Sequence, residues 1–161
     1  MSATLSALDG IGPPRDHQAR ASWMVANAAL VLLPLGIEAI AAPRADESNP
    51  DSKVPDVGFY LPQSYSPDVV VEISGSRNSL YEFGGKLREY ELRYRDRQYR
   101  FRELFHWNLL SSQIDRYRFG FTGNRFSMRC DREESFSEVI AYDLRILGLF
   151  PLEFQARIGL R

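Results

Sequence analysis

Two stretches of this chain alternate apolar and charged residues with a period of two. Between Lys86 and Leu104, Tyr90, Leu92 and Tyr94 interleave with Glu91, Arg93 and Arg95, and Tyr99 and Phe101 interleave with Arg100 and Arg102. Such a period places apolar side chains on one side of a strand and charges on the other. It predicts a hairpin turning at Asp96-Arg97, with Leu92 opposite Phe101. Downstream, Tyr117, Phe119 and Phe121 lead into Thr122-Gly123-Asn124-Arg125, and Phe126, Met128 and Cys130 lead out. A turn at Gly123-Asn124 supplies the positive φ that tight hairpins require. That register pairs Phe121 with Phe126, Phe119 with Met128 and Tyr117 with Cys130, and a one-residue slip would turn the whole set towards water. Val69 to Ile73, mostly β-branched and just after Pro67, predicts a further strand, and Ser135 to Tyr142 another. Residues 104–114 read as a short helix or a crossing loop, and Leu144 to Phe150 as an apolar stretch before Pro151.

The amino-terminal third follows a different pattern. Residues 1–20 are polar or small, with Gly10, Gly12, Pro13 and Pro14, and read as unstructured. Ala21 to Ile37 carry no charge, and Ala39-Ile40-Ala41 follows. Arg15 and Arg20 ahead of an apolar run, with a small-x-small site behind it, have the outline of a secretory signal cleaved after Ala41. A retained membrane anchor is the second reading, although the run is short for the ~30 Å hydrocarbon core. A buried helix is the third, disfavoured because the run is apolar on all faces. Asp46, Glu47 and Asp51 after the run, against the arginines before it, place the carboxyl side outside the cytoplasm. Pro43, Pro50, Pro55, Pro62 and Pro67 then recur among polar residues and read as a spacer, interrupted by the apolar Val57 to Leu61.

The expected organisation is therefore 1–41 signal peptide or membrane anchor, 42–67 proline-rich linker, and 68–161 a mainly β domain. That domain would be a small antiparallel curved sheet or partial half-barrel with one or two short helices. Its greasy face, Leu92, Phe101, Tyr117, Phe119, Phe121, Phe126 and Met128, is the candidate ligand-binding surface.

Charge and chemistry add exclusions. Net charge is −1, yet Arg77 to Arg132 hold 13 basic side chains against 7 acidic ones. All but Lys53 and Lys86 of the chain's 20 basic residues are arginine. Arginine forks suit anions, but a solvated sheet face is the favoured reading of clustered charge. Interleaved aromatics and arginines suit single-stranded nucleic acid, except that a period of two sends the two kinds to opposite faces. No nucleic-acid partner is expected. Cys130 is the lone cysteine, so neither a disulfide nor a thiolate zinc set forms within the chain. His106, between Phe105 and Trp107, reads as part of an aromatic cluster, and His17 would leave with the leader. There is no GxGxxG, P-loop, HExxH or GxSxG, and Gly84-Gly85 reads as a turn. No catalytic residue, metal ligand or cofactor is expected, and the chain reads as no enzyme.

The order of strand, charged hairpin and Gly-Asn-Arg-Phe hairpin, closed by Ala141-Tyr142-Asp143-Leu144-Arg145-Ile146-Leu147-Gly148-Leu149, resembles envelope proteins of planctomycete type similar to the LolA/LolB lipoprotein carriers. The resemblance covers about 69–154. It implies a half-open barrel holding acyl chains and an extracytoplasmic module for lipid or lipoprotein. Residues 21–41 would touch the membrane if uncleaved. A structural or vestigial fragment without a ligand is the alternative, and an arginine-aromatic surface for a polyanion comes third.

Overall fold

The computed structural model describes residues 13–160 other than 47, 50, 51 and 98, with side chains from His17 onwards. The unstructured segment expected at the start lies outside the described residues as far as residue 12. So do Glu47, Pro50 and Asp51.

From Pro13 the chain is helical. Helix α1 (Pro13–Val31) is followed by a 3-10 turn (Leu33–Leu35) and strand β1 (Glu38–Ala41). Ala21, Met24, Ala28 and Leu32 recur at three- and four-residue spacings and are all buried, whereas Leu30 and Leu33 are exposed. The apolar run thus has a stripe after all, and the stripe is core. Burial of side chains such as Met24 and Leu32 contributes about 1.5–3 kcal/mol each. Asn27, which weakened the run as a membrane segment, is buried and donates from Nδ2 to the carbonyls of Leu147 (2.6 Å) and Leu149 (2.9 Å). Arg20 donates to Gly148 O at 2.8 Å and lies over the Trp107 ring. No described helix is long and apolar enough to cross a membrane.

The stretch read as a spacer also enters the sheet. Strand β2 (Val57–Tyr60) is buried throughout and pairs antiparallel with both β1 and β3 (Val69–Ser74). Pro43 and Pro67 pack onto it: a Cβ on Gly58 would stand 2.7 Å from Pro43 Cγ and 3.0 Å from Pro67 Cβ. Only glycine admits both prolines there.

The main departure is at residues 77–95. They form one helix, α2 (Arg77–Arg95), and not the first strand of a hairpin. Phe83, Tyr90 and Tyr94 are buried and Leu87 is partly buried, a spacing of four, three and four. Leu92 is 55% exposed, which a period of two would have forbidden. Tyr90 and Tyr94 fit both periods, so the alternation that included them was ambiguous. Ser76 and Ser79 close a reciprocal capping box at the start, and Arg93 and Arg95 complement the helix dipole at the end. Gly84 and Gly85 stand inside this helix, each costing roughly 0.5–1 kcal/mol relative to alanine. A Cβ on either would meet nothing within 4 Å.

Helix α2 is the crossover between β3 and its parallel neighbour β4 (Glu103–Asn108), which takes the first part of the segment expected to be helix or loop. Strands β5 (Gln113–Thr122) and β6 (Arg125–Asp131) follow as an antiparallel hairpin. Here the expected register holds residue for residue: Phe121 faces Phe126, Phe119 faces Met128, and Tyr117 faces Cys130. Gly123 takes φ +64°.

The result is a mixed six-stranded sheet in the order β1-β2-β3-β4-β5-β6, with a separate pair of two-residue strands, β7 (Phe136–Ser137) and β8 (Tyr142–Asp143). The strand order is linear and does not close a barrel. The motif expected to belong to a half-barrel instead forms β8 and the short helix α3 (Leu144–Leu147), with Asp143 Oδ1 accepting from Arg145 N. Leu144 and Leu147 are buried beside α1, as is Phe154 from helix α4 (Pro151–Arg157).

Two cores flank the sheet. One joins α1, α3 and α4 to Val69, Val71, Ile73, Phe105 and Trp107. The other joins α2 to Val70, Phe101, Leu104 and Phe119. A chain beginning at Ala42, as signal cleavage would leave it, lacks α1 and β1 and uncovers the first core. It is expected to show no cooperative thermal transition and to bind a hydrophobic dye. A sigmoidal melt like that of the full chain would refute this packing account.

Candidate active site

The face of β3 that α2 covers carries Val70, Glu72 and Ser74. Glu72 is the only charged residue in that strand, and it is 4% exposed. The register pairs Val57 with Val71, and Asp56 N donates to Val71 O, so Asp56 at the mouth of β2 stands next to Glu72. Two carboxylates from adjacent strands therefore share one patch. Each is held by neighbours. Asp56 Oδ2 accepts from the backbone N–H of Ile73 at 2.6 Å, and Asp56 Oδ1 lies 2.6 Å from His17 Nε2 at the start of α1. Glu72 Oε2 accepts from the Tyr90 hydroxyl at 2.7 Å, and Glu72 Oε1 lies 3.6 Å from Lys86 Nζ. Both Tyr90 and Lys86 come from α2, one turn apart on the face that crosses β3.

The electrostatics follow from that crowding. Burial, then the nearby Asp56 charge, pushes the Glu72 carboxyl up to about 7, while Lys86 and the Tyr90 hydroxyl pull the other way. The hydrogen bond to Asp56 raises the His17 imidazolium above its usual value against the opposing effect of burial. Tyr90 is driven up by burial and by Glu72, so it stays a donor.

The register continues this row: Glu72 lies beside His106 on β4, and His106 beside Asp115 on β5. Burial holds His106 down at about 4, so it is neutral at pH 7. Its ring stacks on Phe83 at 3.6 Å, and its Nε2 is 2.7 Å from Ser74 Oγ. His106 thus sits in an aromatic cluster, and the cation beside Glu72 is Lys86.

Six of the seven residues expected to bind a ligand stay together beneath the helix, and only Leu92 is separated from them. Phe101 and Phe119 are buried. Tyr94 packs on Phe101 (5.4 Å), Phe119 (5.1 Å), Phe121 (5.8 Å) and Phe126 (5.8 Å). Tyr117 and Met128 border the same cluster, and Leu92 points away from it. The greasy face exists, but α2 covers it. An open cleft of about 850 Å3 lies at the other end of β3, over Asp68, Arg100, Arg102 and Tyr65, and includes none of the four groups around Glu72.

Asp56, Glu72, Lys86 and His17 were all missed by reading the sequence alone. A signal was present. Pro55-Asp56 and Pro67-Asp68 each open a strand, and Glu72 is a lone carboxylate in the otherwise uncharged Val69 to Ser74. Lys86 is one of two lysines among many arginines. His17 stands just ahead of the apolar run that has the outline of a leader.

No protein-family model matches the chain, and no curated protein is significantly similar to it. Among solved structures, the chain is similar to a candidate nuclease belonging to DUF820 from Anabaena variabilis ATCC 29413, at 16% identity and a TM-score of 0.52. The match covers 83% of this chain and 80% of that one. This finding corrects the LolA/LolB resemblance and the lipid or lipoprotein partner that came with it. It also removes the ground for reading the chain as no enzyme and as without a nucleic-acid partner.

A buried carboxylate whose pKa rises on folding opposes folding as it ionises. The unfolded Glu72 titrates near 4.5 and the folded one near 7, so the folded state holds the extra proton between those values. Stability falls as pH rises through that window. Glu72→Gln removes the penalty and retains an acceptor for Tyr90. The variant is expected to match the wild type below pH 4.5 and to exceed it above pH 7 by on the order of 1–3 kcal/mol. Urea melts at both ends of the range read this directly. An equal change at both pH values would contradict the burial account.

Proposed function

We propose that this protein is a divalent-cation-dependent phosphodiester hydrolase acting on nucleic acid, with Asp56, Glu72 and Lys86 as its working groups. The observation that carries the reading is the placement of two carboxylates side by side with a lysine ammonium 3.6 Å from one of them. The fold similarity to a protein described as a candidate nuclease supports it.

The donor set fits a hard cation. Among the described residues no three His, Cys, Asp or Glu side chains converge as a complete ligand set. Mg2+ is commonly held by one or two carboxylates and completes its shell with water and substrate phosphate, and Asp56 and Glu72 meet that need. When bound, such a cation neutralises phosphate charge and acidifies a coordinated water. Burial first, and the Asp56 charge second, raise the Glu72 carboxyl, and a bound cation would offset both.

The chain's own side chains have distinct tasks. The Ile73 N–H and His17 orient Asp56, and Tyr90 orients Glu72. Hydrolysis forms a bond from water oxygen to phosphorus and breaks the bond to the leaving sugar oxygen, which takes up a proton. Charge builds on the non-bridging oxygens in between. Lys86, whose side chain is 44% exposed beside the buried Glu72, offers its ammonium to those oxygens.

With Mg2+ or Mn2+ the full chain is expected to cleave labelled oligonucleotides, and chelation should stop it. Asp56→Asn and Lys86→Ala should each lower the rate by roughly 10²-fold or more. At about 100 times its dissociation constant, the cation should raise the wild-type Tm by about 5–10 °C and leave that of Asp56→Asn unchanged. A wild-type protein with neither cleavage nor a metal-dependent Tm would end this reading.

A further inference from the structure

We propose that a nucleic-acid strand lies along the exposed track Tyr81, Gly84, Gly85 and Lys86 of α2, its sugar-phosphate backbone packed directly on the helix backbone at Gly84-Gly85. This deepens the hydrolase reading above and rests on it.

Two adjacent glycines inside a well-capped helix are unfavourable, and the fold does not call for them. Both are exposed, neither has positive φ, and an added Cβ would meet nothing within 4 Å. They do not break the helix, which runs unbroken from Arg77 to Arg95. Gly58 and Gly148 show the contrast, since added Cβ atoms there would collide with Pro43 and with Trp107. A glycine that its own protein does not need is explained by a ligand that must come close to the backbone.

Position points to the same ligand. Gly85 adjoins Lys86, whose ammonium lies 3.6 Å from Glu72 Oε1. Tyr81 is 88% exposed and lies three and four residues before the glycines, on the same face of the helix. An exposed tyrosine offers a stacking surface for a base. Tyr81, Gly85 and Lys86 line one shallow groove together with Glu82 and Glu89. Of those two acids, Glu89 is paired with Lys53 at 2.6 Å. The absent side chains at 84 and 85 clear a path that ends at Lys86.

The test combines stability with binding. Gly85→Ala in the full chain is expected to raise Tm by about 2–4 °C and to weaken binding of a fluorescein-labelled single-stranded deoxyoligonucleotide, read by anisotropy in Ca2+, by about tenfold. Tyr81→Ala should weaken binding by about tenfold with Tm unchanged. A purely structural role would move Tm and affinity in the same direction. If Gly85→Ala gains stability yet binds as tightly as the wild type, the track is refuted while the hydrolase reading stands. A lower Tm would show that the fold needs the glycine, and would refute it as well. A wild type that neither binds nor cleaves would overturn both.

Discussion

The constraint on which the rest depends is the proximity of Asp56 and Glu72. Two like charges on neighbouring strands, one of them nearly buried, repel each other where water screens them poorly. The fold answers with groups from three other places: the Ile73 backbone, His17 on α1, and Lys86 with Tyr90 on α2. Delivery of the α2 groups is a matter of topology. Strands β3 and β4 are parallel, so the chain must cross from the end of one to the start of the other, and the crossover helix lies on a sheet face. That face is the one from which Glu72 projects. Ser76 starts the helix two residues after β3 ends, and the second and fourth turns then bring Phe83 over His106 and Tyr90 over Glu72. Lys86 falls between them.

Dependence on α1 is of the same kind. Strand β3 is buried on both faces, which is how strands flanked by helices on either side usually look. Val69, Val71 and Ile73 need the α1 layer, while Val70 needs the α2 layer. His17 at the start of α1 reaches Asp56 only because Met24, Ala28 and Leu32 further along hold the helix against the sheet. The first core is therefore a requirement for the site, and the apolar run that resembles an export signal has a structural use.

Legibility varied along the chain for physical reasons. The hairpin of β5 and β6 could be read to the residue because its turn needs a positive φ, Gly123 provides it, and every apolar side chain then shares a face. Strand β3 was legible from its β-branched run. Helix α2 was not, because Tyr90 and Tyr94 satisfy both the helical and the strand period. Only Phe83 and Leu87 upstream, and the Ser76-x-x-Ser79 box, separate the two. Strand β2 was hidden by prolines that look like a spacer but pack on Gly58. The site itself was invisible to a search for local motifs, since its members at 17, 56, 72 and 86 meet only through strand pairing and a crossover. The trace it left was a carboxylate in a strand with no solvent face to put it on.

The buried carboxylate and the aromatic face make different demands on the fold. Phe101, Phe119, Phe121 and Phe126 are abundant and sit on one side of the sheet, which makes them conspicuous in the sequence. Apolar area of that size is expensive to leave in water, and Tyr94 and its neighbours on α2 bury Phe101 and Phe119 and cover Phe121 and Phe126 in part. Glu72 is the opposite case. Burying it costs stability, and the Tyr90 and Lys86 contacts offset that cost only in part, as its raised pKa shows. Interactions that a fold does not need, and that it bears at a cost, are better guides to function than interactions that hold it together.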